Sequence, residues 1–413
     1  MPASAVTRPD TNTLTPADVP SLVELIRAAA AEGAALFPVG GGTSLPVAAS
    51  VAQGRWVHLT ELARVIDYPA ADMTITVQAG MRMGQLREIL AEQNQQLPLD
   101  VPQSSDATLG GVIATNFSGP RRYGYGTARD YVIGIRAVDG HANEFAGGGR
   151  VVKNVAGYDF CKLLTGSHGT LGIMTEVTLK LKPLASHRAA LLVAPANTEQ
   201  LEAMLSRLVD TSAQPVAIEW LTGDYWRRYA AEHSWPGATE AGWLVLYFEG
   251  LASEVAWMTR TMQDDWAGVG PRDVVCLEMS DADRLLSDLS EFVAVSGEVV
   301  FKANVVPSRT VEFVRQIASD VPECSIQAHA GSGIIKIAIP ELPASGLSGH
   351  VIGQWQPLAA HSGGNVEAIK HPANSEFTAR LRWGSPAVPR ELMQRLKQQF
   401  DPKGILNPGA YIV

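Results

Sequence analysis

The chain has 413 residues, enough for two domains with ample core. A hydrophobic fraction of 46% against 18% charged residues marks a globular, soluble protein, and a net charge of −9 disfavours nucleic acid, whose phosphates require a basic excess. The three scattered cysteines, Cys161, Cys276 and Cys324, form no C-x-x-C pair, so no zinc or iron–sulfur ligand set is visible and reduced thiols are expected.

Met1 to Thr13 contains no apolar h-region and no run approaches a membrane span. The expected location is cytoplasmic, or peripheral to the inner membrane through partners. Thr15-Pro16, followed by Leu22, Leu25, Ile26 and Ala29 at helical spacing and stopped by Gly33, predicts a capped amphipathic helix. The apolar run Ala34 to Val39 then predicts a buried strand feeding Gly40-Gly41-Gly42-Thr43-Ser44-Leu45. Successive glycine N–H groups can turn inward as an anion-binding concavity, and the two hydroxyls add donors. For this loop alone a plain flexible turn competes with a phosphate cradle.

Trp56 to Leu59 and Thr74 to Val77 alternate like strands, and Met83 to Gln93 reads as a helix with Leu86, Ile89 and Leu90 on one face. Leu97 to Pro102 bars regular structure. It delivers the chain to a second small-residue stretch, Thr108 to Gly119, whose Gly110-Gly111 pair, Thr108, Thr115, Asn116 and Ser118 suggest a second cradle. Two such stretches, each beside an apolar run, suggest a diphosphate held from two sides. The G-x-G-x-x-G fingerprint fails because Leu45 stands at its third glycine, and no G-x-x-x-x-G-K-[ST] exists, so Rossmann and P-loop sites are disfavoured.

Ile133 to Val138 and Ala142 to Phe145, separated by Asp139-Gly140, predict a hairpin with a type I′ turn, and Gly147-Gly148-Gly149 a mobile loop. Leu171 to Leu181 predicts a strand stopped by Pro183. Beyond it strands are expected near 191–194, 216–221, 243–248, 299–306 and 334–339, with a helix around 199–208, as an antiparallel sheet with helices on one face. A last helix, Arg390 to Gln399, precedes a Pro/Gly-rich tail. The expected domains are residues 1–186, 187–385 and a C-terminal segment, 386–413.

In order, Pro38–Leu45, Thr108–Gly119, Arg129–Gly134, Lys153–Asp159 and Gly166–Ile173 resemble the FAD-binding domain of the vanillyl-alcohol oxidase, or PCMH, type. The closing Phe400–Gly409 resembles the C-terminal signature of FAD-linked 2-hydroxy-acid dehydrogenases, and the run Val151–Asp159 is most similar to the E subunit of glycolate oxidase. The resemblance implies an α+β fold: a two-part PCMH-type FAD-binding domain, an antiparallel-sheet α+β cap, and a tail returning to the flavin domain. It also implies FAD contacts at Val39, Gly40 to Leu45, Pro102, Thr108, Gly110, Gly111, Ala114, Thr115, Gly119, Ile173 on the adenine side, and Asn407. Relatives with covalent flavin carry a histidine near Thr43, whose hydroxyl cannot make that bond, so dissociable FAD is expected.

The implied activity is oxidation of glycolate to glyoxylate, as one subunit beside a catalytic flavoprotein and an iron–sulfur subunit. The alternatives are a self-sufficient FAD-dependent 2-hydroxy-acid or sugar dehydrogenase, and a flavin-binding scaffold without turnover. Related enzymes hold a divalent metal with His-x-Gly-Asp-Gly-Asn-x-His and Glu-His-Gly. Here these read His329-Ala330-Gly331-Ser332-Gly333-Ile334-Ile335-Lys336 and Ala360–Gly364, so no metal site is expected and His329 reads as a hydrogen-bonded fold residue. His168, where relatives are acidic, reads as a turn cap before a catalytic group. Arg121, Arg122, Lys302, Lys370 and Arg382 are candidate carboxylate partners that spacing does not rank, Trp220, Trp226, Trp235 and Trp243 read as core before interface, and no catalytic base is assigned.

Overall fold

The computed structural model describes residues 13–44, 54–149, 158–237, 239–269, 273–341, 346–372, 378–384 and 390–410. The chain divides into two compact units: residues 1–118, 126–184 and 387–413 form the first, and 119–125 with 185–386 the second. The short excursion at 119–125, which opens with Gly119-Pro120 and is followed by Gly126, groups with the second unit.

The first unit opens with a helix, Val19–Glu32, whose N-cap is Asp18 in a capping box with Ser21. The Thr15-Pro16 pair precedes this cap, and Gly33 closes the helix with φ 70. Leu22, Ile26 and Ala29 are buried, as their spacing requires, against Leu36, Val57, Ile173, Ile405 and Leu406. A three-stranded parallel sheet runs Thr13–Leu14, Gly54–His58, Ala35–Val39. A five-stranded antiparallel sheet runs Val65–Asp67, Thr74–Gln78, Ile173–Lys180, Val132–Val138, Glu144–Gly148. These two sheets give the first unit two parts.

Local expectations in this unit fail at three places. Thr108 caps a helix, Leu109–Thr115, instead of opening a loop, because Gly110 packs so closely on Ala79 that a Cβ would lie 2.9 Å from its carbonyl oxygen. The turn after Val138 is not type I′: Gly140 lacks positive φ and the left-handed residue is Ala142 at φ 63. Asp139 instead accepts the N–H groups of His141 and Asn143 at 2.9 Å, and Gly140 is needed where Asp401 approaches, a Cβ there lying 2.8 Å from its Cα. Gly147 and Gly148 end a strand instead of forming a loop, with Gly147 packed on Phe160.

The second unit is built on one eight-stranded sheet, antiparallel throughout. Its order is Val274–Glu278, His187–Val193, Trp243–Gly250, Ala217–Thr222, Ser325–His329, Ile334–Ile339, Val299–Asn304, Asn365–Lys370. Period-two alternation puts Ile218, Trp220, Leu246, Phe248, Phe301 and Ile337 on one face. Helices Thr198–Asp210, Ala252–Trp266 and Thr310–Asp320 cover that face with Met204, Met262, Trp266 and Val314. Helices are not confined to it: Tyr247, on the opposite face, donates to Asp283 of helix Ser280–Val295 at 3.0 Å. Trp220, Trp226 and Trp243 are buried.

Candidate functional site

The strand Ala35–Val39 ends at Gly40, and there the backbone opens onto a cleft. Val39, Gly40, Gly41, Gly42, Thr43 and Ser44 form one wall, Pro102, Thr108 and Gly111 another, and Ala114, Thr115, His168 and Asn407 complete it. An adjoining cavity shares Gly40, Thr108, Gly111, Ala114 and His168 and adds Gly110 and Ile173. Leu45 lies outside the described residues, as does most of Lys153–Asp159. Gly119 lines neither cavity and belongs to the second unit.

The two glycine stretches do different work. Among the described residues no acceptor is engaged by the N–H groups of Gly40 to Ser44, and Gly42 turns the loop at φ 74. A Cβ on Gly40 would lie 1.9 Å from Thr108 Oγ1, and one on Gly41 1.7 Å from the Asp106 carbonyl oxygen. This is a nest of donors that only glycine can build. The second stretch is not a donor set: Leu109 N–H donates to Met81 O, Gly110 N–H to Ala79 O, and Gly111 N–H to Thr108 Oγ1. Thr115 Oγ1 donates back to Gly111 O at 2.9 Å. The expectation that Gly110 and Gly111 offset phosphate charge is therefore corrected: their lack of side chain lets the helix close on the cleft, while their N–H groups are already used.

The tail shapes this cleft. Asn407 N–H donates to Leu36 O at 2.8 Å and Leu36 N–H to Ile405 O, so the tail runs beside the cradle strand. Asn407 Nδ2 donates to His168 O at 2.7 Å. Lys397 donates to Thr170 O, Asp401 Oδ2 and Leu406 O, and Asp401 accepts the N–H groups of Ile405 and Leu406. Adjoining cavities, a glycine nest open to an anion and apolar walls at Val101 and Phe117 fit an extended dinucleotide. His168 is a wall residue as well as a turn residue, at φ 53.

Within the second unit, a separate polar cluster interrupts the buried sheet. Register sets Glu219 opposite His329 and Gln327 opposite Lys336, all on the face away from the apolar core. All four are at most 1% exposed. His329 Nδ1 meets Glu219 Oε1 at 2.5 Å, and Gln327 Nε2 donates to Glu219 Oε2 at 2.8 Å. Among the described residues His329 Nε2 and Gln327 Oε1 have no hydrogen-bond partner although buried. Burial holds the His329 pKa below its ordinary value; Glu219 opposes this, while Lys336 and Arg122 reinforce it. This shift favours the neutral imidazole, and donation from Nδ1 to Glu219 would leave a lone pair on Nε2, the form a proton acceptor needs.

No group of three or more His, Cys, Asp or Glu able to hold a metal ion occurs among the described residues. Of the candidate cations, Arg121 pairs with Glu249 at 2.7 Å, Lys302 pairs with Glu367, and Lys370 donates to Ala294 O. The Arg382 side chain lies outside the described residues. Sequence reasoning missed Glu219, which lies 110 positions from His329. The available signal was a charged residue inside an otherwise apolar strand, Ala217–Thr222, and likewise Lys336 inside Ile334–Ile339.

Comparison with known proteins agrees with this architecture. Residues 11–144 match the FAD binding domain family and residues 383–411 the C-terminal domain of FAD linked oxidases. A D-2-hydroxyglutarate dehydrogenase of Xanthomonas citri pv. viticola is 27% identical over 95% of this chain and 87% of its own. A D-lactate dehydrogenase of Archaeoglobus fulgidus is 29% identical over 91% and 86%. Glycolate oxidase subunit GlcE of Escherichia coli is 34% identical, but over 38% of this chain and 44% of its own. The solved structure of an alkyldihydroxyacetonephosphate synthase shares the fold with TM-score 0.65 at 16% identity, covering 96% of this chain and 76% of that one. The chain is thus similar along most of its length to FAD-linked dehydrogenases of 2-hydroxy acids, and its two family matches support FAD-linked oxidoreductase activity with FAD as the cofactor.

Proposed function

We infer that this chain oxidises a small 2-hydroxy acid and does so without a second flavoprotein. The observation that carries this reading is the extent of the likeness: the D-lactate and D-2-hydroxyglutarate dehydrogenases align over 91% and 95% of the chain, the glycolate oxidase subunit over 38%. Bound FAD supplies the two-electron acceptor. The first unit contributes the donor nest and the groove, which hold and orient the dinucleotide. The second unit carries the buried pair of Glu219 and His329, whose imidazole, held through Nδ1, is a proton acceptor of the kind this oxidation requires. The test is dye reduction by the purified chain alone with D-lactate, D-2-hydroxyglutarate and glycolate. Turnover with at least one acid is expected; no turnover with any of them contradicts the reading.

A second reading is an FAD-holding subunit of a multi-subunit glycolate oxidase, beside a catalytic flavoprotein and an iron–sulfur subunit. Its support is the 34% identity across 158 residues to the glycolate oxidase subunit. On that reading the purified chain is inert with glycolate until partner subunits are added.

A further inference from the structure

Among the described residues lining the cleft and its adjoining cavity, none is lysine, arginine, aspartate or glutamate. Among the described lining residues His168 carries the one ionisable side chain. It belongs to both linings, where the cavities meet. Its backbone is held at φ 53, uncommon outside glycine, with its N–H donating to Ala114 O at 2.9 Å and its carbonyl accepting from Asn407 Nδ2 at 2.7 Å. A backbone pinned in a costly conformation beside a cleft fixes where the ring begins. Among the described charged groups on the surrounding elements, Lys397 pairs with Asp401, Arg82 with Asp106, and Lys162 with Asp159.

We propose that His168 is the charge partner of the FAD diphosphate, so that cofactor binding draws a proton onto its imidazole. The amides of Gly40 to Ser44 donate hydrogen bonds but bring no net charge, whereas a diphosphate diester carries two negative charges across this pH range. An anion nearby favours the imidazolium, so the His168 pKa is higher with FAD bound than without it. The sign follows from linkage: affinity is lowest above the bound-state pKa, strengthens as pH falls through it, and levels off below the free-state pKa. Each unit between the two pKa values is tenfold in Kd. This rests on FAD as the occupant and not on the identity of the substrate.

The test titrates apoprotein with FAD between about pH 5.5 and 8.5, following flavin fluorescence, with calorimetry in two buffers of different ionisation enthalpy to count protons. Expected are about tenfold weaker binding at the alkaline end and uptake approaching one proton at intermediate pH. In His168→Asn, which tolerates the left-handed backbone, FAD binding is expected to lose both. A pH-independent affinity in yellow wild-type protein, or a slope that persists in His168→Asn, overturns this inference alone. Protein that stays colourless in excess FAD overturns it together with the cofactor assignment. Should His168→Asn not fold, the imidazole resonances of the wild type decide: a pKa raised by FAD supports the proposal and an unchanged one overturns it.

Discussion

Gly41 is where the requirement for a missing side chain is most severe. Its Cβ would sit 1.7 Å from a backbone carbonyl, which cannot rotate away as a side-chain tip would. Gly41→Ala is therefore expected to shift the loop and cut FAD affinity by at least tenfold, read by fluorescence titration. Gly268→Ala, with nothing within 4 Å of its Cβ, is expected to leave affinity unchanged. His329 supports a different kind of prediction. Its pKa is lowered by burial, so the unfolded chain binds a proton that the folded chain refuses, and stability is lost as pH falls below the ordinary histidine value of about 6.5. Urea unfolding between about pH 7.5 and 5.5 should show this loss, and His329→Gln should flatten it.

At the level of elements, the tail decides whether the cradle strand is held. Lys397 reaches two carbonyls and the Asp401 carboxylate, and Asp401 in turn holds the N–H groups of Ile405 and Leu406 beside Leu36. Removing one partner of a buried pair strands the other, at a cost of about 3–5 kcal/mol. Lys397→Ala should lose stability of that order by denaturant unfolding and weaken FAD binding as well, because Asn407 moves with the tail. The same scale separates what was legible in the sequence from what was not. The first glycine run could be read because conformation and composition coincide there. The second could not: a helix capped by Thr108 and pressed on Ala79 depends on a contact about thirty residues away in sequence, and glycine composition alone points to a loop. The strands Val274–Glu278, Ser325–His329 and Asn365–Lys370 were not anticipated, since Cys276, Gln327, His329 and Glu367 dilute their apolar signal. With Ser325–His329 unassigned, the register that pairs Glu219 with His329 was out of reach.

For the whole molecule, the proposed reading assigns the dinucleotide to the cleft of the first unit and proton acceptance to the buried Glu219–His329 pair of the second. Removing the acceptor should slow turnover about 10²–10⁴-fold, the usual contribution of a positioned general base, and leave FAD content intact. His329→Asn, assayed for both, checks this; loss of FAD with turnover would assign His329 to folding instead. The most direct measurement of the central claim is the absorption spectrum of the isolated, FAD-loaded chain under anaerobic conditions, before and after each 2-hydroxy acid. The account predicts that the oxidised-flavin band bleaches with one of the acids at a stoichiometry of one acid per flavin. A band that persists with every acid tested would contradict it.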